Sequence, residues 1–494
     1  MDIVDQPDVG LREASSAHRA ASAARSQTVA GARWVVYGAA ATYGAVFSVE
    51  AALYYYSFQE QRLDLGDMVQ AVWSTSHGHL LQMTTPTGQE MSRLGAHADV
   101  FLVLLVPLWW VTASPLAMLI LQALAVASGA IPTYWLARKH LGSERAGAHL
   151  AIGYLLFPAT QFNAFTPSAG FHPVSFALPL LMYAIWFLDE KRLLPFVLFA
   201  VLAASTKEEI PAALGCLGLW YALRKGERLT GAVIAVVGFT LSALEFLVLI
   251  PHYSIAGFSP FAVRYSSVGG TPTGILHTAL THPGVIAHAV FTPHKLLYLG
   301  LLFLPFLGLF LREPLLALCA VPDLVINLLS AVTNQTTLDF QYNAGIVPFL
   351  LAASIIGMSK LKRDPDRVSF YALAGVALLS FYSPLITLGG SIQAYNSGNA
   401  LRQAQAHALQ VVPANVPVAA SNELAGYLSA RKYITVFPYI HNVRWVVVDK
   451  SDETTASDQK SYLRAIKQID SRPGWKIVYA SHGVQVLKKE AVTG

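Results

Sequence analysis

Charge is scarce in this chain, and cysteine scarcer still. Of 494 residues only 13% are Asp, Glu, Lys or Arg, about half the share found in soluble domains, while 54% are hydrophobic. That balance excludes a water-soluble globule and indicates a polytopic membrane protein. The two cysteines, Cys216 and Cys319, both fall in apolar runs, which excludes a disulfide framework and a Cys-ligated zinc site. Neither sign of charge dominates: the net charge is +5 and no basic tract occurs, so nucleic acid is not expected as a partner. The sequence also lacks an HExxH spacing, an internal repeat, and a small-residue cleavage site behind an early apolar core. Residues 1–32 therefore read as a disordered cytoplasmic tail, and 34–56 as an uncleaved first span.

Long apolar runs are what the chain has in plenty. After 34–56 they recur at about 98–113, 115–137, 147–163, 172–188, 193–206, 208–224, 229–251, 296–311, 314–330, 342–358 and 369–388. Lys and Arg gather between runs at 138–145, 191–192, 224–228, 312 and 360–367, connections that the positive-inside rule assigns to the cytoplasm. Counting every run as a crossing puts all of these outside. The run 98–113 is shorter than the ~20 residues a span needs and contains Pro107. Treated as re-entrant or interfacial, it returns every basic connection to the cytoplasm. The expectation is an all-α membrane domain over 33–388, of about eleven crossings plus interfacial helices, with large outer loops at 57–97 and 252–295. Residues 389–494 turn charged and carry five strand-like runs and a helical stretch at 458–469. They are expected to form a small α/β domain on the extracytoplasmic face of the cell membrane.

Three acids interrupt the apolar runs. Glu50, Glu245 and Asp323 each lie six or seven residues before the outer end of a run, roughly 10 Å below the interface. Ionisable groups in lipid face a partner or a cavity. Their common depth points to a polar cavity open to the outside; separate pairing with neighbouring helices is the alternative.

Just past the first span, Leu65, Met68, Val69, Val72 and Trp73 recur at helical spacing, as on a helix lying in the membrane interface. Asp64 opens that helix and Asp67 follows one turn on. An N-cap is one reading. The other is a general base, since a carboxylate beside lipid gains proton affinity. His97 closes the same loop, and His172 begins a later run at the same face. With His77, His79, His252 and His294 the side is rich in imidazole, but the spacing names no metal, so any divalent cofactor stays unknown. Lys207-Glu208-Glu209 sits between two short runs, where unpaired charge is expensive. Lys207 there, or Arg264-Tyr265 in the loop 252–295, has the chemistry to hold a phosphate.

Leu63-Asp64-Leu65-Gly66, Gln70-Ala71-Val72-Trp73, His97, Phe171-His172-Pro173, Lys207-Glu208-Glu209, Arg264-Tyr265-Ser266 and Gln341-Tyr342 together resemble a family of prokaryotic polytopic membrane proteins catalogued as domain of unknown function 2079. The resemblance covers nearly all of the chain after residue 33. That family is similar in turn to the GT-C membrane glycosyltransferases. The resemblance implies a cytoplasmic N-terminus, a first outer loop carrying the acid that activates the acceptor, and a sugar donor on a polyprenyl phosphate. It makes Asp64 the base. The family tends to place a second acid directly before the Gln, where this chain has Val69, and this departure puts a two-carboxylate or metal-dependent scheme in question.

Three functions are consistent with these residues. The leading one is a glycosyltransferase-like enzyme moving a sugar from a polyprenyl-phosphate donor to an acceptor hydroxyl, with Asp64 and Asp67 as catalytic carboxylates and His97, His172, Lys207, Glu208, Arg264 and Tyr265 holding substrate. A transporter or lipid flippase would use Glu50, Glu245 and Asp323 as proton or substrate sites. A lipid-binding scaffold would bind the lipid-linked sugar without turnover.

Overall fold

The computed structural model describes residues 9–167, 170–381, 383–455 and 458–490. A helix runs Val9–Tyr56, continuous through much of the stretch expected as an unstructured tail. Its Ala-rich composition suits a helix, because alanine loses no side-chain freedom there.

Among the described residues three helices are long and apolar enough to cross a bilayer: Gly31–Tyr56, Pro115–Leu141 and Arg228–Tyr253. A pair bent by 61°, Pro283–Val290 with Pro293–Phe306, would make a fourth. Other expected spans fold as shorter apolar helices, such as Pro173–Asp189, Ile210–Arg224 and Val347–Ser359. Prolines account for part of this: the 147–163 run breaks at Pro158 into Glu144–Leu156 and Pro158–Ala164, since proline removes a helix donor and clashes with the preceding turn. The run 98–113 folds as Val100–Leu105, a 3₁₀ turn, followed by Val106–Thr112. These reach only roughly 20 Å, short of the ~30 Å hydrocarbon core.

Helices Ile210–Arg224 and Arg228–Leu244 pack backbone to backbone. A Cβ on Gly218 would meet Ala235 N at 2.5 Å, and one on Gly238 would meet Gly215 N at 2.5 Å. Small residues let helices approach this closely. The same hairpin brings the Ser242 hydroxyl to the Glu208 carbonyl at 2.8 Å, which pins the Lys207–Glu209 turn.

The loop after the first helix contains a short hairpin, β1 (Gln82–Thr84) with β2 (Glu90–Ser92). The C-terminal region forms a five-stranded sheet of β3 (Val418–Ala420), β4 (Ile434–Val436), β5 (Trp445–Asp449), β6 (Trp475–Ser481) and β7 (Val484–Lys489), in the order β4-β3-β5-β7-β6. The strand-like runs in the sequence are these strands, and the helical stretch is Gln459–Asp470. β3 pairs in parallel with β4 and β5, and the rest of the sheet is antiparallel. The hairpin and the sheet meet: Thr84 Oγ1 donates to the Ile434 carbonyl at 2.6 Å, and Val436 N–H to the Pro86 carbonyl at 2.9 Å.

Helix Asp67–Ser76 corrects the interfacial reading. Its apolar stripe (Leu65, Met68, Val69, Val72) is at most 1% exposed, and its other face is buried too, at Gln70, Ala71 and Ser74. Gln70 Nε2 donates to the Arg431 and Lys432 carbonyls of the C-terminal domain. The helix is therefore enclosed by protein on both sides. The loop's own periodicity could not reveal the second cover, because it comes from residues some 360 positions away.

Candidate active site

The chain reaches Asp64 through a strained turn. Asp64 has φ 74° and ψ −93°, close to a γ-turn geometry that residues other than glycine rarely adopt. Such a conformation costs on the order of 1–3 kcal/mol and persists only where the surroundings enforce it. Enforcement comes from both sides. Arg62 N–H donates to Asn422 Oδ1 at 3.2 Å, and Gly66 N–H to the Gln61 carbonyl at 3.1 Å. Asp64 is thus no N-cap: the helix begins behind Gly66, which makes no side-chain cap bond. What the turn does instead is leave the Asp64 side chain 43% exposed, facing a cavity of about 290 Å³.

Asp67 also borders this cavity, yet its carboxylate is engaged by Arg62. The Arg62 guanidinium is wholly buried and donates also to Gln70 Oε1 at 2.6 Å and to the Thr84 carbonyl at 2.7 Å. Although its side chain is open to the cavity, the surrounding walls desolvate the Asp64 carboxyl, and this, reinforced by Asp67 and opposed by Arg93 and Arg264, pushes it up to about 7.

Three cations also line the cavity. Arg264 lies with Cζ 4.1 Å from the Phe261 ring and donates to the Tyr342 hydroxyl at 3.4 Å. Lys207 pairs with Glu209, and its ammonium sits 5.5 Å from the Tyr342 ring. Burial alone would lower the Lys207 pKa, but Glu209, Glu208 and Asp323 raise it, so it stays charged. Arg93, bonded to Asp99 at 2.6 Å, completes a ring of three cations on the cavity wall. His97 stacks on Phe261 with centroids 4.5 Å apart, and its Nδ1 is 2.8 Å from Glu208 Oε1. Burial drives the imidazole down to about 3, so it is neutral and donates to Glu208 through Nδ1. His172 Nε2 is 4.0 Å from Asp64 Oδ1, and its backbone N–H donates to Gln122 Oε1 at 2.8 Å.

The structure thus gathers Asp64, Asp67, His97, His172, Lys207 and Arg264 around one cavity. Glu208 stands behind it, accepting from His97 and from the Ala98 N–H at 3.1 Å. Tyr265 also stands behind, with its hydroxyl accepting from Gln335 Nε2 at 3.4 Å. The expectation that Glu50, Glu245 and Asp323 share an open cavity is corrected. None of the three lines this one: Glu50 accepts from Thr387 Oγ1 at 2.8 Å, while Asp323 and Glu245 lie near the Lys207–Glu209 charges. Equal depth along separate helices does not put side chains on facing sides. Arg93, Phe261 and Phe340 line the cavity without having been singled out. For Arg93 a signal was there: a cation in a loop expected outside, where Lys and Arg are few, is a candidate for an internal role. Among the described residues no group of three or more His, Cys, Asp or Glu side chains is placed to hold a metal ion, and His77 and His79 are exposed.

Comparison with solved structures finds ArnT from Cupriavidus metallidurans bound to undecaprenyl phosphate, 12% identical, covering 91% of this chain and 98% of that one at a TM-score of 0.47. The oligosaccharyltransferase of Archaeoglobus fulgidus in its apo form is 12% identical over 82% of this chain and 69% of that one, at 0.45. The same organism's AglB, in complex with an inhibitory peptide and a dolichol-phosphate, is 13% identical with the same coverage, at 0.44. No curated protein matches. Residues 54–486, nearly the whole span from the end of the first helix through β7, match the family model described as "Predicted membrane protein (DUF2079)"; the chain belongs to that family.

Proposed function

We propose that the protein is a membrane glycosyltransferase-like enzyme that moves a sugar from a polyprenyl-phosphate donor to an acceptor hydroxyl. The observation that carries this reading is the cavity itself: one strained, half-exposed carboxylate of raised proton affinity shares a cavity of about 290 Å³ with three cations, near the lower end of small-molecule sites. Asp64 takes the proton of the acceptor hydroxyl. The freed oxygen bonds to the sugar's anomeric carbon as the bond from that carbon to the phosphate oxygen breaks. The phosphate leaves with the electron pair, and its growing charge is met by Arg264. Arg264 suits that role better than Lys207, whose ammonium Glu209 already engages, and a guanidinium forks onto phosphate oxygens. Asp67 is, in this reading, a positioning residue: through Arg62 it holds the Asp64 turn. The neutral His97 and Glu208 orient the loop end. The polyprenyl donor follows from the GT-C resemblance of the sequence motifs; eleven crossings with Asp64 on the extracytoplasmic face follow from the apolar runs and the basic connections between them.

The transporter alternative rests on three acids sharing one chamber, and Glu50's bond to Thr387 weakens it. Asp64→Asn keeps the shape and removes the base. In membranes supplied with labelled polyprenyl-phosphate sugars, transfer should fall by roughly 10²–10⁴-fold, with the variant inserted at the normal level. Undiminished transfer by a correctly inserted variant removes Asp64 from the mechanism.

A further inference from the structure

At the end of the bundle away from Asp64 lies a second cavity, about 580 Å³ in volume, that the proposed reaction does not use. Its position follows from helices that run between the two sites. The first apolar helix begins beside Arg33 and Tyr37, which line this cavity, and ends at Tyr56, eight residues before Asp64. Its 26 residues extend about 39 Å. Pro173–Asp189 likewise starts at the Asp64 cavity with Pro173 and Val174 and finishes here with Trp186 and Phe187. The two cavities lie at opposite ends of both helices.

Arg33, Arg138, Lys139 and Arg192 line the second cavity against a single carboxylate, Glu190, among the described residues. Lys139 is held by Asp189 at 2.7 Å and by Glu190, and Arg138 by Glu144 at 3.5 Å. Arg33 and Arg192 have aromatic neighbours instead, with Cζ 5.3 Å from the Trp34 ring and 5.1 Å from the Phe187 ring. Stacking on a ring leaves the edge of a guanidinium able to donate to oxygens. Trp135 and Trp186, with centroids 5.8 Å apart, form an aromatic wall. Tryptophan and tyrosine concentrate at the level of lipid head groups, and basic pockets between helices at that level fit phosphorylated head groups.

We propose that this cavity binds the phosphate of an anionic phospholipid from the leaflet at that end, with Arg33 and Arg192 donating to the phosphate oxygens and the Trp135–Trp186 wall packing on the glycerol and upper acyl chain. Occupancy would tie the two helices that lead to the Asp64 cavity at their far ends. The proposal stands whether or not sugar transfer does.

The test is native mass spectrometry of the full-length, detergent-purified chain titrated with short-chain phosphatidylglycerol, phosphatidylcholine or inorganic phosphate. Saturable binding of phosphatidylglycerol, with phosphatidylcholine much weaker, is expected. Each cation near an anionic head group contributes about a fivefold preference, so Arg33→Gln with Arg192→Gln should weaken binding about twenty-five-fold. Both positions are at the surface or beside it, and the variants should keep wild-type helicity. The control pair Lys362→Gln and Arg363→Gln removes exposed charges from the same end, which Ser143 bonded to Asp366 locates, but from outside the cavity, and should leave binding unchanged. Equal binding of the two lipids, or equal loss in both variant pairs, overturns the site. Inorganic phosphate binding as tightly as the lipid overturns the lipid as its occupant.

Discussion

Replacing Arg62 with methionine should cost about 3–5 kcal/mol of folding free energy, the range for breaking a buried ion pair from one side. The side chain is fully buried and serves three acceptors: Asp67, Gln70 Oε1 and the Thr84 carbonyl. Methionine fills the volume but donates nothing. Gln70 Oε1 keeps the Thr84 N–H at 2.9 Å, so it is not abandoned. The Asp67 carboxylate, in a residue 8% exposed, is left without its cation. Asp67→Asn is milder, because the amide oxygen still accepts from Arg62; about 1.5–3 kcal/mol is expected, as for a hydrogen bond to a charged group. Since both changes remove the same ion pair, the double variant should fall short of the sum of the singles by about 2 kcal/mol or more. Reversible unfolding in mixed SDS–detergent micelles, followed by circular dichroism, measures all four corners of this cycle. Additivity within about 0.5 kcal/mol would refute the claim that Asp67 serves the turn through Arg62.

Transfer activity should rise with pH through about 7 and then level off, because the Asp64 carboxyl must be ionised and its pKa is raised to that value; a profile flat from pH 5 to 9 would exclude it as the base. Glu60 is fully buried with neither carboxylate oxygen bonded, and burial, followed by Asp64, raises it to about 8. Its folded pKa lies above its unfolded one, so its contribution is complete below about pH 4.5 and is lost as pH climbs through about 8, by at most about 5 kcal/mol. Glu60→Gln should remove that slope from the unfolding free energy, and identical slopes in both proteins would contradict the assignment. Asn422 accepts from Arg62 N–H and donates to Gln61 Oε1 at 3.1 Å. Asn422→Ala should cost about 1–3 kcal/mol and lower kcat more than it raises KM. Unchanged kinetics would mean that the C-terminal domain does not hold the Asp64 turn.

Much of this molecule was legible in the order of its residues. Scarce charge and recurring apolar runs declared a membrane protein, and short strand-like runs in a charged stretch located β3 through β7, because both patterns depend on near neighbours along the chain. Lys207, a cation between two short apolar runs, could be picked out for the same reason, and Arg264 as a guanidinium within the large loop 252–295. Tertiary structure alone decided the rest. It assigned Asp67 to Arg62, dispersed Glu50 from Asp323 and Glu245, and buried one face of Asp67–Ser76 in the helical core and the other under the C-terminal domain. It also gave Asp64 its strained backbone. Each of these depends on contacts between residues far apart in sequence, such as Asn422 with Arg62 and Gln70 with Arg431, and no local periodicity encodes which distant partner arrives.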